Sequence, residues 1–156
     1  MTYALDHVDW ALLHELQLDA RLSFAELARR IHMSTPAVAE RVRRLEQHGV
    51  ITGYHAQVSL EATGWPVRAL VRMACHGPTC LLRDPSVYEW PEVLEVNRVT
   101  GAECCVVKIA ATSMAAFEDV IDRLAAYGTP SSMLVLSTPL ERSPIVPPHP
   151  TPSSAG

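Results

Sequence analysis

Apolar positions in the first fifty residues recur at helical spacing. Between Asp6 and Leu18, Val8, Leu12 and Leu16 fall at i, i+4 and i+8 with Leu13 beside them, so a first helix has one apolar face. Asp6 stands before it, where a carboxylate caps the helix and suits the positive end of its dipole. Asp19 to Leu22 reads as a short connection. Ser23 opens a second helix with Glu26 three residues on, the spacing of a capping box, and Phe24, Leu27, Ala28 and Ile31 form its stripe. His32 and Met33 make a tight turn. Ser34 caps a third helix, where Pro36 is tolerated because first-turn N–H groups lack partners anyway. Val38, Val42 and Leu45 are its inner face, and Gly49 ends it in a left-handed conformation. Two short helices around a tight turn, the second beginning with small polar residues, make a helix-turn-helix.

The period then changes. Val50 to Leu60 alternates loosely as an extended strand, and Glu61 to Pro66 is a turn. From Val67 the apolar positions Ala69, Val71, Met73 and Cys75 alternate at strand period, leaving Arg68, Leu70, Arg72 and Ala74 on the other face. His76-Gly77-Pro78 breaks this strand. In Thr79 to Trp90, Asp84 as cap and Pro85 as first residue allow a short helix that stops at Pro91. Val93–Val99 and Cys104–Ala111 are two strands joined at Thr100-Gly101-Ala102-Glu103. Ser113 caps a helix with Phe117, Val120, Ile121 and Leu124 inside and Gly128 at its end, and Met133–Ser137 closes the sheet. The fold class is α+β: a three-helix helix-turn-helix domain over 1–50, an extended linker over 51–65, and a ferredoxin-like βαββαβ domain over 66–142. Five prolines among the last fourteen residues mark 143–156 as a disordered tail. The sheet's uncovered face, with Leu70 and Ala74, suits packing against a second subunit.

Composition adds bounds. A hydrophobic fraction of 48% supports a real core, and no apolar run approaches the roughly 18 residues that span a bilayer. Met1 to Trp10 lacks the order of a signal peptide. Four cysteines with Cys104 and Cys105 adjacent do not resemble a secreted disulfide framework, so the expectation is a cytoplasmic protein. The net charge is −4, yet Arg29 to Arg44 holds five arginines against the single acid Glu40. A local basic stripe is compatible with DNA, because phosphates respond to the local field.

On a helical wheel, the side of the third helix opposite Val38 carries Pro36, Ala37, Glu40, Arg43, Arg44 and Gln47, with Arg41 on the flank. Small residues at its start permit close approach to base edges in the major groove, and arginines further along reach guanines or phosphates. Thr35, Ala37 and Glu40 are placed for base contact; Glu40 accepts from a cytosine amino group or holds Arg44 at i+4. The solvated face of an ordinary helical bundle carries similar charge. The tight turn from Ile31 to Ser34 and the small residues before the arginines favour DNA.

Leu5-Asp6-His7-Val8-Asp9, Asp19-Ala20-Arg21-Leu22-Ser23, Glu26-Leu27-Ala28, Ser34 through Val38, Glu40 through Glu46 and Gly49 through Tyr54 resemble the Lrp/AsnC, or feast/famine, regulators. The likeness resumes at Pro91-Glu92-Val93 and Arg98-Val99-Thr100-Gly101, so it spans roughly residues 4–142. It implies a transcriptional regulator that binds double-stranded DNA through Ser23, Ser34, Thr35, Pro36, Ala37, Glu40, Arg41, Arg43 and Arg44. It also implies homodimers, often gathered into octamers or larger discs, and a small-molecule effector, commonly an amino acid. The effector would lie between subunits, near Thr100, Gly101, Glu103 and Cys104 and facing Thr129, Ser131 and Ser132 before a neighbour's last strand. Relatives that bind amino acids often have an aspartate two or three residues after the glycine; this chain has Glu103 and Cys104.

Two other classes compete. Sirohaem decarboxylases share these two domains and act on tetrapyrroles, a reading that loss of basic residues from the third helix would favour, whereas Arg41, Arg43 and Arg44 are kept. An interaction module that has lost DNA binding is the other. No nucleophile–base pair, phosphate-binding glycine loop or carboxylate pair stands out, so no enzyme activity, cofactor or metal is expected. Cys75, Cys80, Cys104 and Cys105, with His76 beside Cys75, could gather round a soft metal. The spacing from Cys75 to Cys80 is not a usual zinc knuckle, and neighbours on a strand face opposite ways. The cysteines therefore read as small buried hydrophobes, with a redox-sensing thiol as the alternative.

Overall fold

The computed structural model describes residues 3–75 and 80–148. The expected strand break at His76-Gly77-Pro78 and the tail from residue 149 lie outside the described residues. The order is α1 (His7–Leu18), α2 (Phe24–Arg30), α3 (Thr35–Gln47), β1 (Val67–Cys75), two 3-10 turns (Leu81–Arg83 and Pro85–Glu89), β2 (Val93–Arg98), β3 (Cys105–Ala111), α4 (Met114–Ala125) and β4 (Gly128–Leu134). They form two compact units: one takes the described residues up to Ala56 together with those from Leu140 on, the other Gln57–Pro139. No helix among the described residues is long and apolar enough to cross a membrane.

In the first unit the three helices close over Leu12, Leu27, Ala28, Val38 and Val42, with Leu16, Leu22, Ile31, Met33 and Ile51 packed against them. A fully buried leucine or valine of this kind contributes about 1.5–3 kcal/mol. Phe24, expected in the buried stripe, stays exposed at the first position of α2. Asp6 caps α1 reciprocally with Asp9: Asp9 N donates to Asp6 Oδ1 at 2.8 Å, and Asp6 N donates to Asp9 Oδ2 at 3.2 Å. Asp9 is only 1% exposed, so its charge needs a partner inside the unit. Arg41 of α3 supplies it, donating to Asp9 at 2.7 Å and to Asp6 at 2.8 Å. That pair ties α3 to α1.

The turn between α2 and α3 puts His32 at φ +56° and returns Met33 N to Ala28 O at 2.9 Å. Gly49 (φ +68°) closes α3 as expected, with Gly49 N on Glu46 O and Val50 N on Leu45 O, the paired bonds of a Schellman ending. Val50 to Leu60, expected as an extended strand, forms no ladder with the described residues. Residues 135–148 carry no helix or strand either. They are not wholly detached, however, since Ile145 N donates to Gln17 Oε1 at 2.8 Å and Gln17 Nε2 donates to Ile145 O at 3.1 Å.

The second unit is a four-stranded antiparallel sheet in the order β2-β3-β1-β4, the ferredoxin-like arrangement. Ala69, Val71 and Met73 of β1 face the core beside Cys105, Val107, Ile109 and Ala111 of β3, as strand alternation requires. Ser113 caps α4 by accepting from Ala116 N at 3.1 Å, and Phe117, Val120 and Leu124 complete that core. Asp84 caps at Pro85 as expected, but the segment makes 3-10 turns instead of an α-helix. Leu81 and Val87 bury themselves within those single turns.

The last strand departs most from the reading of the sequence. It begins at Gly128, whereas Met133 was expected, and the helix before it ends at Ala125. Gly-Thr-Pro-Ser-Ser has poor intrinsic strand propensity, but the β1 edge pairs with it from Cys75↔Gly128 to Ala69↔Leu134. Pro130 is tolerated because β4 is an edge strand.

Two consequences are measurable. Arg41→Ala leaves the Asp9 carboxylate buried and uncompensated and should cost about 2–4 kcal/mol in denaturant unfolding of the helical unit; a loss below about 0.5 kcal/mol, the scale of a surface change, would show that the pair does not tie α3 to α1. A Cβ on Gly128 would stand 2.3 Å from Ala74 O and 2.9 Å from Cys75 Cα, both backbone atoms. Gly128→Ala should therefore lower stability by more than about 1 kcal/mol, with amide exchange accelerating first along β4.

Candidate nucleic-acid interface

The exposed side of α3 sorts the arginines that composition alone could not. Ser34, Thr35, Pro36, Glu40 and Arg43 are exposed, and Ala37 is half-buried. Ser34 occupies the N-cap position of α3 yet makes no side-chain cap bond, so its hydroxyl is not committed to the helix. Arg43 forks onto Glu40 at 2.9 and 2.7 Å, and this hydrogen bond holds the Glu40 carboxyl below its usual range. Arg44 is half-buried with an Nε that is out of water and finds no acceptor. An unpaired buried N–H of that kind costs free energy until an acceptor arrives.

Two residues expected at this surface are otherwise engaged. Ser23 Oγ accepts Glu26 N at 3.1 Å, which fixes the start of α2. The carboxylate of Glu26 does not complete the capping box; it takes Arg30 and Arg29, whose hydrogen bonds lower its pKa. Arg41 points inward to Asp6 and Asp9 and is corrected from a surface contact to a structural ion pair. Arg30 also reaches back, to Glu15 of α1 at 2.7 Å. The capping role of Asp6 was readable from its position, but the partnership of Asp9 with Arg41 was not, because the two are 32 residues apart.

The residues expected to meet a small molecule lie at one end of the second unit. Val99 N donates to Cys104 O at 3.2 Å to close the turn, and Gly101 sits at φ +124° with open space where a Cβ would be. Conformation, and not crowding, is what Gly101 supplies. Glu103 Oε1 is 3.4 Å from Arg72 Nη1, and Arg72 Nη2 reaches Ser131 Oγ at 3.3 Å. Arg72 thus joins the turn to β4, a role hidden in the sequence because Arg72 looked like one exposed position of a strand. Ser131 and Ser132 are opposite Arg72 and Val71, so strand alternation sends them to different faces. Ser132 borders a shallow groove of about 400 Å³ along Met114, Phe117, Glu118 and Ile121 of α4. The two serines of one chain therefore lie on opposite faces of the sheet. Thr129 stands opposite Ala74, on the same face of β4 as Ser131.

The cysteines also depart from the expectation of separate core hydrophobes. Cys105 does fit it: fully buried, its thiol is pushed up to about 11 by desolvation. Cys75, Cys80 and Cys104 are half-buried and gather instead, all three Sγ atoms lying within 4.8 Å of one another. Cys75 and Cys104 are disulfide-bonded, and Cys80 Sγ is 2.7 Å from Cys75 Sγ. Alternation does not part Cys104 from Cys105, whose Sγ atoms are 3.7 Å apart, because β3 begins only at Cys105. His76 lies outside the described residues.

Comparison with known proteins agrees with this layout. Residues 5–46 match the AsnC-type helix-turn-helix domain, and residues 85–145 match the Lrp/AsnC ligand binding domain. The HTH-type transcriptional regulator YezC of Bacillus subtilis is 37% identical over 134 residues, which is 86% of this chain and 95% of YezC. LrpC of the same organism is 34% identical, over 85% of this chain and 92% of its own. The solved structure of B. subtilis LrpC aligns with a TM-score of 0.84 at 32% identity, covering 90% of this chain and all (100%) of that one. A feast or famine regulatory protein from M. tuberculosis, complexed with L-methionine, aligns at 0.85 and 33% identity over 92% of this chain and 100% of that one. Two domains matched in order, with near-complete coverage of such relatives, show that the chain belongs to the Lrp/AsnC family of DNA-binding, helix-turn-helix transcriptional regulators.

Proposed function

We propose that α3 enters the major groove through Ser34, Thr35, Pro36 and Ala37, with Arg44 reading a base edge and Arg43 contacting phosphate. The observation that carries this assignment is the pairing of an uncommitted Ser34 hydroxyl with a partnerless Arg44 Nε on one helix. Arg43 exchanges Glu40 for phosphate, which leaves Glu40 to accept from a base amino group. Arg41 and Ser23 support this surface from behind. The chain acts as a non-enzymatic regulator in the cytoplasm, and the similarity to proteins named as transcriptional regulators favours that over tetrapyrrole chemistry.

The second unit binds an α-amino acid at the Thr100–Glu103 turn. Arg72 takes the carboxylate, while Glu103 takes the ammonium group and Ser131 orients the Arg72 fork. In support, a Neisseria meningitidis regulator, like the M. tuberculosis protein, is solved with L-methionine. The open sheet face, where Leu70 and Met133 are 36% and 44% exposed, pairs two copies as a homodimer from which larger assemblies grow.

Fluorescence-anisotropy titration with the DNA upstream of the chain's own gene, against scrambled DNA over a salt series, tests the first proposal. Arg44→Ala should cost about 1–3 kcal/mol on the preferred sequence alone. Arg43→Ala should weaken every sequence alike and reduce the salt slope by roughly one phosphate. Equal losses for the two variants across sequences would overturn the division of roles. Isothermal titration with L-methionine tests the second: Arg72→Ala should weaken binding about 10–100-fold, the worth of a hydrogen bond to a charged group. An affinity unchanged by that substitution would place the ligand elsewhere.

A further inference from the structure

Cys75 ends β1, Cys80 precedes the first 3-10 turn, and Cys104 ends the turn between β2 and β3. Three separate stretches of chain thus deliver three sulfurs to one place. Cys104 is held there from both sides of its own residue: its N donates to Met73 O at 2.8 Å, and its Sγ lies 3.1 Å from the same oxygen. Cys75 is fixed by the close pairing of β1 with Gly128. Cys80 Sγ lies 2.7 Å from Cys75 Sγ and 3.7 Å from Cys104 Sγ. The disulfide between Cys75 and Cys104 engages two of these sulfurs and leaves Cys80 against both with no covalent role.

We propose that in the reduced chain Cys75, Cys80 and Cys104 form a three-thiolate site for a soft metal ion of the zinc(II) or copper(I) class. Sulfurs around such an ion, at metal–sulfur bonds of about 2.3 Å, stand roughly 3.8 Å apart. Cys80 and Cys104 already meet that spacing. Once the disulfide is reduced, Cys75 must draw back from both Cys80 and Cys104 by roughly an ångström or more, a shift that a terminal strand residue makes by rotating its side chain. All three residues are half-buried, so an ion can reach them while the surrounding protein limits competition from water. Cys105 is fully buried in the core and is not one of the three sulfurs that lie mutually close. Thiolates select soft ions over the hard cations that carboxylates prefer. Among the described residues no histidine or carboxylate joins the three. An ion held here would pin the β2–β3 turn to the end of β1. The site stands independently of the amino-acid reading, because it uses neither Arg72 nor Glu103.

The test is an anaerobic titration of the reduced full chain with zinc(II) and, separately, copper(I), each in competition with a chromophoric chelator. One ion per chain, released protons and a raised Tm are expected from at least one of the two metals. Cys80→Ser, Cys75→Ser and Cys104→Ser should each weaken uptake by at least about 100-fold, and Cys105→Ala should leave it unchanged. Far-UV circular dichroism on each variant separates lost coordination from lost folding, and thiolate-to-metal charge transfer with cobalt(II) reports sulfur ligation directly. Stoichiometric uptake unaffected by Cys80→Ser would overturn the site. So would a chain shown by thiol counting to be fully reduced that nevertheless takes up neither ion, which would make Cys75 and Cys104 a cross-link and Cys80 its neighbour.

Discussion

The ladder that β1 makes on both edges is the constraint from which the second unit follows. On one side it pairs with β3 from Val67↔Ala111 to Met73↔Cys105, and on the other with β4 from Ala69↔Leu134 to Cys75↔Gly128. One strand of nine residues therefore sets the register of both neighbours. A slip by one residue would move Ala69, Val71 and Met73 from the core to the open face and place Arg68 and Arg72 under α4. The cost of burying two unpaired guanidinium groups makes that slip prohibitive. The same register puts Arg72 opposite Ser131 and carries its fork to Glu103. The polar cluster is thus a by-product of how the core is kept dry.

In the helical unit an ion pair plays the corresponding part. Asp9 lies almost wholly out of water, and its two oxygens are shared between the N-terminus of α1 and Arg41 of α3. Packing fixes the distance between helices, but an apolar stripe resists sliding along its axis only weakly. A directional pair between a capping carboxylate and a guanidinium adds that restraint. The basic stripe read from the sequence is therefore two populations. Arg30 and Arg41 hold the helices together through Glu15, Asp6 and Asp9, while Arg43 and Arg44 remain on the side that faces outward or half-outward.

What could be read from the sequence was what depends on neighbours within one turn or one strand. Asp6, Ser23 and Ser113 cap where their spacing requires, Gly49 ends α3, and the alternation from Val67 to Met73 gives the buried face of β1. The failures depend on partners far along the chain. Gly128 to Ser132 has the composition of a loop and becomes a strand only because β1 offers a free edge. Val50 to Leu60 alternates like a strand and yet pairs with no strand among the described residues. Arg41 resembles Arg43 in sequence and differs because Asp9 lies across from it. The family resemblance located the turn at Thr100 and Gly101, but it carried no information on Arg72.

The cysteines illustrate the limit of a rule about alternation. Neighbouring residues face opposite ways only while both belong to a strand, and Cys104 lies one residue before β3 begins. Its backbone is turned by the closing bond from Val99 and by its own bond to Met73, so its sulfur swings toward the end of β1. Cys75 arrives there because β1 runs to the place where Gly128 lets β4 approach within the space of a missing Cβ. Cys80 follows from the return of the chain into the turn that buries Leu81. Each sulfur is therefore positioned by backbone pairing or core packing that the fold needs for other reasons. Thiols brought together in this way stay close without any attraction between them. The reduced cluster thus begins with its ligands ordered, and a soft ion entering it bears little of the entropic cost of gathering them.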